Sequence, residues 1–144
     1  MTLTPSEIAD FRALAALIIP PSAKYNIPGA NDDLIFADIL ASLARDLPDV
    51  QSALTTLHTP AGAPLASLSQ ARQTEIANHL RTEGGTPIAV LTRIVLLCYY
   101  RDDRVMLSLG LEPRPPFPKG HVLEQGDWSL LDPVKSRAPI WRQV

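Results

Sequence analysis

The chain of 144 residues has few of the groups on which catalytic and cofactor sites are usually built. Its one cysteine, Cys98, cannot form an internal disulfide or a multi-thiolate metal site. Its histidines, His58, His79 and His121, lie far apart and lack metal-ligand spacing. Its seven glycines form neither GxGxxG nor GxxxxGK[ST], the loops that cradle nucleotide phosphates. We therefore expect no catalytic residue, no metal and no cofactor in this chain.

Charge and long apolar runs are also scarce. Thirteen basic and fifteen acidic residues leave a net charge of −2, and no basic run could neutralise a row of phosphates, so no nucleic-acid partner is expected. The longest apolar runs, 13–19 and 94–100, have seven residues each, whereas a membrane-spanning helix needs about 20. We expect no membrane span. A hydrophobic content of 46% is enough for one packed core.

Apolar spacing and capping residues predict an all-α fold, a small bundle of about five helices. The predicted helices are 5–19, 32–47, a short 48–57, 70–82 and 87–101, with one further turn over 102–109. Thr4-Pro5-Ser6-Glu7 has the pattern of a capping box, and Thr86-Pro87 repeats its cap and its proline. The helix 32–47 is expected to pack on the first helix. The helix 87–101 is apolar almost all round, which predicts a central buried helix.

Two pairs of adjacent acids, 32–33 and 102–103, have two interpretations. Paired carboxylates can perform acid–base chemistry, and acids in the first turn of a helix stabilise its dipole. Adjacent side chains on a helix point about 100° apart, which favours the dipole interpretation. Arg101 and Arg104 flank the second pair and are expected to form exposed ion pairs.

Two other features also have a structural and a functional interpretation. Cys98 is in phase with Leu91 and Val95 on the predicted buried helix, so we expect an inert core thiol with a raised pKa rather than a nucleophile. The segment 84–87 places a helix start after two glycines, where an anion could bind. Helix capping explains those residues without a ligand.

The last part of the chain differs in character from the rest. Residues 111–144 contain six of the fourteen prolines and both tryptophans, without a helical period. Disordered tails are poor in large apolar residues, whereas residues 111–144 contain many of them. We predict a helical domain 1–110 and an extended, irregular tail 111–144 that packs on the domain or on a partner subunit. Trp128 and Trp141 are either interface anchors or plugs for the back of the helical core.

Several short motifs can be compared with a known family. They are 14–20 (LAALIIP) followed by 28–30 (PGA), 99–102 (YYRD) with 109–110 (LG), and the tail segments 114–120 (RPPFPKG) and 126–134 (GDWSLLDPV) with Arg137. Together they resemble the gluconate 2-dehydrogenase subunit 3 family, whose members are small non-catalytic subunits of flavoprotein dehydrogenases. The resemblance covers both ends of the chain and leaves out 41–86.

The resemblance implies a partner that performs the chemistry. That partner is a large FAD-dependent oxidoreductase of the glucose-methanol-choline type, which oxidises a sugar, a sugar acid or an alcohol. FAD is expected in the partner, and a cytochrome c subunit often takes the electrons. Typical members carry a twin-arginine leader, whereas the first basic residue here is Arg12. We therefore expect a cytoplasmic chain, periplasmic only if a partner exports it.

The first hypothesis is thus a partner subunit of a heterodimer that stabilises or chaperones the large subunit. The residues expected at its interface are Tyr25, Pro28, Tyr99, Tyr100, Arg114, Phe117, Trp128 and Trp141. The alternative is a stand-alone soluble helical binding protein with a pocket for a small molecule. A third possibility, an unaided enzyme, lacks a nucleophile, a base and a cofactor site.

Overall fold

The computed structural model describes residues 2–115, 117–120 and 122–138. The described residues form seven α-helices and no β-strand, which confirms the all-α prediction. The helices are α1 (Pro5–Ile18), α2 (Asp33–Ala41), α3 (Leu47–Ala61), α4 (Gln70–Glu83), α5 (Thr86–Tyr100), α6 (Asp103–Ser108) and α7 (Asp132–Lys135). Three 3₁₀ turns, Ala44–Asp46, Leu65–Ser67 and Trp128–Leu131, lie between them. None of the described helices is both long and apolar enough to cross a bilayer.

The chain divides into two compact units, Met1–Pro113 and Arg114–Val144. We call the first the helical body and the second the C-terminal unit. The helical body contains α1 to α6, and the C-terminal unit contains the turn Trp128–Leu131 and α7.

The two helix starts that share a Thr-Pro sequence differ in the structure. At α1 the capping box is confirmed: the Glu7 N–H donates to Thr4 Oγ1 at 3.3 Å, and the Thr4 N–H donates to Glu7 Oε2 at 2.7 Å. At α5 the expected cap Thr86 is instead the first helical residue, and Gly85 precedes it without a side-chain cap. Gly85 has φ +94°, a conformation that glycine adopts without strain, so the helix can begin one residue early.

The predicted helix 32–47 is wrong in its second half. α2 ends at Ala41, a 3₁₀ turn follows, and α3 then begins at Leu47. The break precedes Pro48, whose ring lacks an N–H for the Ala44 carbonyl and would clash with it in a continuous helix. α2 packs chiefly on α5 rather than on α1, although the Phe11 and Phe36 rings meet edge to face at 5.6 Å.

The end of α3 is also later than predicted. The sequence predicts a short helix over 48–57 and then a loop, because residues 59–64 contain two prolines and a glycine, but the helix continues to Ala61. Pro60 removes only one hydrogen bond in the last turn. The helix stops at Gly62, which has φ +64° and donates its N–H to the His58 carbonyl at 3.2 Å, so a left-handed glycine sets the boundary.

The core of the helical body lies where α3 and α5 pack together, with α1, α2 and α4 around them. Within α5, the buried residues are Leu91, Ile94, Val95, Cys98 and Tyr99. Leu97 on the same helix is 55% exposed. α5 is therefore central to the core, as predicted, but it is not buried on every side, because its apolar residues Leu96 and Leu97 are exposed.

The C-terminal unit contains more regular structure than the sequence predicts. Asp127 accepts hydrogen bonds from the N–H and the hydroxyl of Ser129, at 3.0 and 2.6 Å. This cap begins the turn Trp128–Leu131, and α7 follows directly. Outside this turn and α7, the described residues of the tail are irregular, as predicted; a capped single turn is too short to produce a visible apolar period in the sequence.

Candidate interaction surfaces

The loop between α1 and α2 is a closed, ordered turn. Ser22 and Ile27 exchange backbone hydrogen bonds at 3.0 and 3.2 Å, which bring the two sides of the loop together. At its base, a side chain on Gly29 would lie 2.8 Å from Pro21, so the close approach requires glycine. Tyr25 is exposed near the tip, with the Lys24 ammonium 5.0 Å from its ring centre. The loop therefore presents Tyr25 on a defined backbone.

Tyr99 and Tyr100 are adjacent in sequence but have different roles. Tyr99 is 2% exposed, and its hydroxyl donates to the carbonyl of Pro28 at 3.1 Å. Burial raises the pKa of the Tyr99 hydroxyl. Tyr100 is 54% exposed, and its ring meets the Tyr99 ring edge to face at 5.2 Å. Tyr99 thus fastens the loop to the end of α5, and Tyr100 presents its ring to the surface beside it.

Arg101 does not pair with the adjacent acids 102–103 but with Asp38 on α2. Its Nε and Nη2 atoms donate to the two carboxylate oxygens of Asp38 at 2.6 Å each, and Nη2 also donates to Ser42 Oγ at 2.6 Å. The Arg101 guanidinium lowers the pKa of the Asp38 carboxyl. This two-point pair joins the end of α5 to the outer side of α2.

Arg104 joins the N-termini of two helices. It donates to Asp102 at 3.0 Å and to Asp32 at 2.6 Å. Asp32 and Asp102 each also accept backbone N–H groups at the start of α2 and α6, as the dipole interpretation requires. Hydrogen bonds from Arg104 lower the pKa of both carboxyls. The sequence indicated the caps, but it could not show that one arginine connects them.

Cys98 is buried, as expected, and burial raises the pKa of its thiol. A thiol with a raised pKa and no access to solvent reacts slowly. This supports the interpretation of Cys98 as a core residue.

Asp10 is a buried carboxylate that the sequence analysis missed. It is fully buried on α1, and its Oδ1 accepts the N–H of Ala66 at 3.1 Å. Its Oδ2 lies 3.6 Å from Nε2 of His58. Asp10 lies between Ile8 and Phe11 of the apolar face of α1. A charged residue inside such a face was the signal from which a buried carboxylate could have been predicted. The carboxylate holds the 3₁₀ turn Leu65–Ser67 against α1.

The histidines do not form a metal site in the part of the chain that the structure describes. No group of three or more His, Cys, Asp or Glu side chains there could hold a metal ion. Nε2 of His79 lies 3.7 Å from Oε1 of Glu83 on the surface of α4. His121 falls outside the described residues.

The C-terminal unit leaves its large apolar side chains in solvent. Phe117 is 85% exposed and Trp128 is 65% exposed. Arg114 donates to the carbonyl of Gly120 at 2.7 Å and so spans the turn that carries Phe117. The expected interface residue Trp141 lies outside the described residues. Phe117 and Trp128 are therefore on ordered backbone and available for contact.

An open groove of about 930 Å³ lies on the helical body between α1, α4 and α5. Its walls are mostly aliphatic and include Leu14, Leu17, Ile18, Ile88, Leu96 and Leu97. Arg81 and Arg93 also line it. No local sequence pattern indicates this groove, because it arises where the open face of α5 meets two other helices.

Comparisons of the chain with protein-family models, with curated proteins and with solved structures find no match.

Proposed function

We propose that this chain is a non-catalytic small subunit of a flavoprotein dehydrogenase complex. The large subunit binds FAD and oxidises a sugar, a sugar acid or an alcohol, and a cytochrome c subunit accepts the electrons. This chain stabilises the large subunit and contributes no catalytic group. The complex is placed in the cytoplasm unless the partner carries the chain across a membrane. The sequence resemblance in the motifs around Pro28, Tyr100 and Trp128 supports this proposal.

The observation that carries the proposal is the exposure of the apolar residues in the C-terminal unit. Trp128 follows an Asp127 cap and precedes α7, so its backbone position is fixed while its ring remains in solvent. Phe117, Leu130 and Val134 are exposed in the same unit. Exposed tryptophan and phenylalanine on ordered backbone are typical of residues that anchor a protein interface.

The helical body offers a second contact region. The hydrogen bond from Tyr99 to Pro28 joins the loop that carries Tyr25 to the helix end that carries Tyr100. Both exposed tyrosines can bury an apolar ring and keep a hydroxyl available for hydrogen bonding, which favours them at interfaces. We assign Tyr25 and Tyr100 to the partner contact, and Tyr99 and Pro28 to positioning them.

The proposal is tested by co-expression of the full chain with a large FAD-dependent dehydrogenase encoded by a neighbouring gene. We expect the two proteins to elute together in size-exclusion chromatography. Because both tryptophans lie in the C-terminal unit, their emission reports on this unit alone. The emission should shift to shorter wavelength when the large subunit, with its own tryptophan signal subtracted, is added.

The matched variants are Trp128→Ala and Leu34→Ala. Trp128 is exposed in the C-terminal unit, and Leu34 is exposed on α2. Trp128→Ala should weaken the complex by about tenfold or more, as for a residue that anchors an interface, whereas Leu34→Ala should change it less than about twofold. Two separate elution peaks for the native proteins, or equal effects of the two variants, would contradict the proposal.

The second candidate function is a stand-alone binding protein for a small molecule. The apolar groove between α1, α4 and α5 favours it, because small-molecule sites are concave, mostly apolar and about 300–1,000 Å³ in volume. It predicts a monodisperse monomer that does not elute with the dehydrogenase. It also predicts a tryptophan emission that the large subunit does not change.

A further inference from the structure

The groove on the helical body has a composition that restricts its occupant. Its walls come from α1, α4 and α5 and are built from long aliphatic side chains such as Leu17, Ile88 and Leu97. No aromatic side chain is among its lining residues, all of which lie in the described part of the chain. A planar ring system therefore finds no stacking partner there. A flexible aliphatic chain fits these walls better.

The wall formed by α5 is open to solvent in the structure. Leu97 is about half exposed, and Leu96 beside it is more than a third exposed. Ala89 lies on the same wall and is exposed. Exposed apolar side chains that line one concave surface gain free energy when an apolar occupant removes them from water.

The charge of the groove has one sign. Two arginines, Arg81 and Arg93, are among its lining residues, and no acidic side chain is. The Arg93 guanidinium donates to Asp46 at 2.7 Å and is already neutralised. Arg81, in the last turn of α4, is exposed, and its guanidinium makes no hydrogen bond or ion pair with the side chains or backbone of the described residues. One positive charge at the groove therefore remains available for an anion.

We propose that this groove binds one free long-chain carboxylate, with its aliphatic chain along α1 and α5 and its carboxylate on Arg81. The volume of about 930 Å³ lies within the range of small-molecule sites. A guanidinium and a carboxylate form strong charge-assisted hydrogen bonds. The inference goes beyond the subunit proposal: it concerns a groove of the helical body that includes none of the residues assigned to the partner contact, and it does not depend on the flavoprotein partner.

The test is displacement of a fluorescent fatty acid, cis-parinaric acid, from the purified full chain. Palmitate should displace the probe with one site per chain. Hexadecanol, which has the same chain length and no charge, should bind at least about tenfold more weakly, because it loses the charge-assisted contact. Hexadecylamine, which is positively charged, should bind more weakly than hexadecanol.

Two pairs of variants locate the site. Arg81→Glu should weaken palmitate binding by about tenfold or more and leave hexadecanol binding within about twofold. Lys24→Glu makes the same charge change on the loop before α2 and should have no effect. Ala89→Trp places a large ring on the groove wall and should abolish binding of both ligands. Ala71→Trp, at an exposed position on α4 that does not line the groove, should bind normally.

Ala89 and Ala71 are both exposed on helices, so neither variant disturbs the core, and circular dichroism at 222 nm checks the fold. The proposal is overturned by any of three results. These are the absence of saturable displacement, equal binding of palmitate and hexadecanol, and binding only to phosphatidylglycerol vesicles. It is also overturned if Ala89→Trp weakens the dehydrogenase complex while the native chain binds no palmitate, because the groove would then be a protein-docking site.

The same variants separate this inference from the subunit proposal. Trp128→Ala should weaken the dehydrogenase complex and retain palmitate binding. Arg81→Glu should retain the complex and lose palmitate. If Trp128→Ala does not weaken the complex, only the subunit proposal fails. If Arg81→Glu does not weaken palmitate binding, only the proposal of a carboxylate site fails.

Discussion

The helical body and the C-terminal unit both carry large apolar side chains, but only the body buries them. Phe11, Ile39 and Leu54 are inaccessible to solvent in the body. In the C-terminal unit, every described residue except Arg114 is exposed. The same polypeptide therefore contains a region with a core of its own and a region whose described apolar side chains form no core of their own.

The difference follows from spacing rather than from apolar content. In the body, α1 to α5 have at least nine residues each, long enough for apolar side chains three and four apart to form a continuous face. In the C-terminal unit, the turn Trp128–Leu131 and α7 have four residues each. One helical turn cannot form such a face, and the surrounding prolines prevent a longer helix. Apolar residues without a helical period have no shared face to bury within their own unit.

Replacing a leucine by alanine should have very different consequences for stability in the two units. Leu54→Ala in α3 should lower the free energy of unfolding by about 2–5 kcal/mol, because it leaves a cavity in a packed core. Leu130→Ala, at a residue exposed in the C-terminal unit, should change it by less than about 0.5 kcal/mol. Urea unfolding followed at 222 nm measures both. A loss at Leu130 comparable with that at Leu54 would break the distinction between the units.

The buried carboxylate in the body gives the next effect. Asp10→Ala removes the acceptor of a part-buried hydrogen bond from the Ala66 N–H and leaves a space where a fully buried side chain stood, which together should cost about 1–3 kcal/mol. Asp10→Asn retains an acceptor oxygen and should cost less. The measurement is the same urea transition, with tryptophan emission recorded in parallel. Equal losses for both variants would mean that the hydrogen bond does not hold the turn Leu65–Ser67.

Two adjacent tyrosines provide a smaller and more closely matched comparison. Tyr99→Phe removes the hydrogen bond to the Pro28 carbonyl and should lower the free energy of unfolding by about 0.5–1.5 kcal/mol. Tyr100→Phe removes an exposed hydroxyl and should leave stability unchanged. If Tyr100→Phe is instead the more destabilising change, Tyr99 does not fasten the loop to α5.

The fold could be predicted from the sequence wherever a local signal was strong. The capping box at Thr4 and Glu7 and the helix α4 required only local spacing and caps. The break at Ala41 was not predictable in this way, because the apolar period continues past it and only Pro48 interrupts the hydrogen bonding. The end of α3 was misassigned because the helix continues past Pro60 and stops only at Gly62, which has a left-handed conformation.

The candidate surfaces were less accessible to sequence reasoning than the helices. The exposure of Trp128 stays compatible with the interface prediction, but the groove required the packing of α1, α4 and α5. The pairing of Arg104 with Asp32 joins residues 72 positions apart along the chain. Such contacts depend on tertiary structure, so no local pattern indicates them.

Acid titration compares the contributions of two carboxylates to stability, one in each unit, and the difference expected here is small. Hydrogen bonds from Arg101 lower the pKa of Asp38 below its ordinary value of 3.8, so Asp38 contributes stability above that value. The contribution is lost as the pH falls through the lower pKa of the folded state. Asp38→Asn should therefore destabilise the body by about 0.2–1 kcal/mol at pH 7, since the pair is partly exposed. The difference from the native chain should disappear as the pH falls below 3.8.

The matched carboxylate for this titration is Asp127 in the C-terminal unit. Its pKa is also lowered, by the hydroxyl and the N–H of Ser129, but its hydrogen bonds join residues of a single exposed turn. Asp127→Asn should leave the body transition at 222 nm unchanged at every pH, and it should alter only the tryptophan emission. A carboxylate changes only the stability of the structure to which its titration is coupled. A pH-dependent shift of the body transition in Asp127→Asn would therefore show that the two units unfold together.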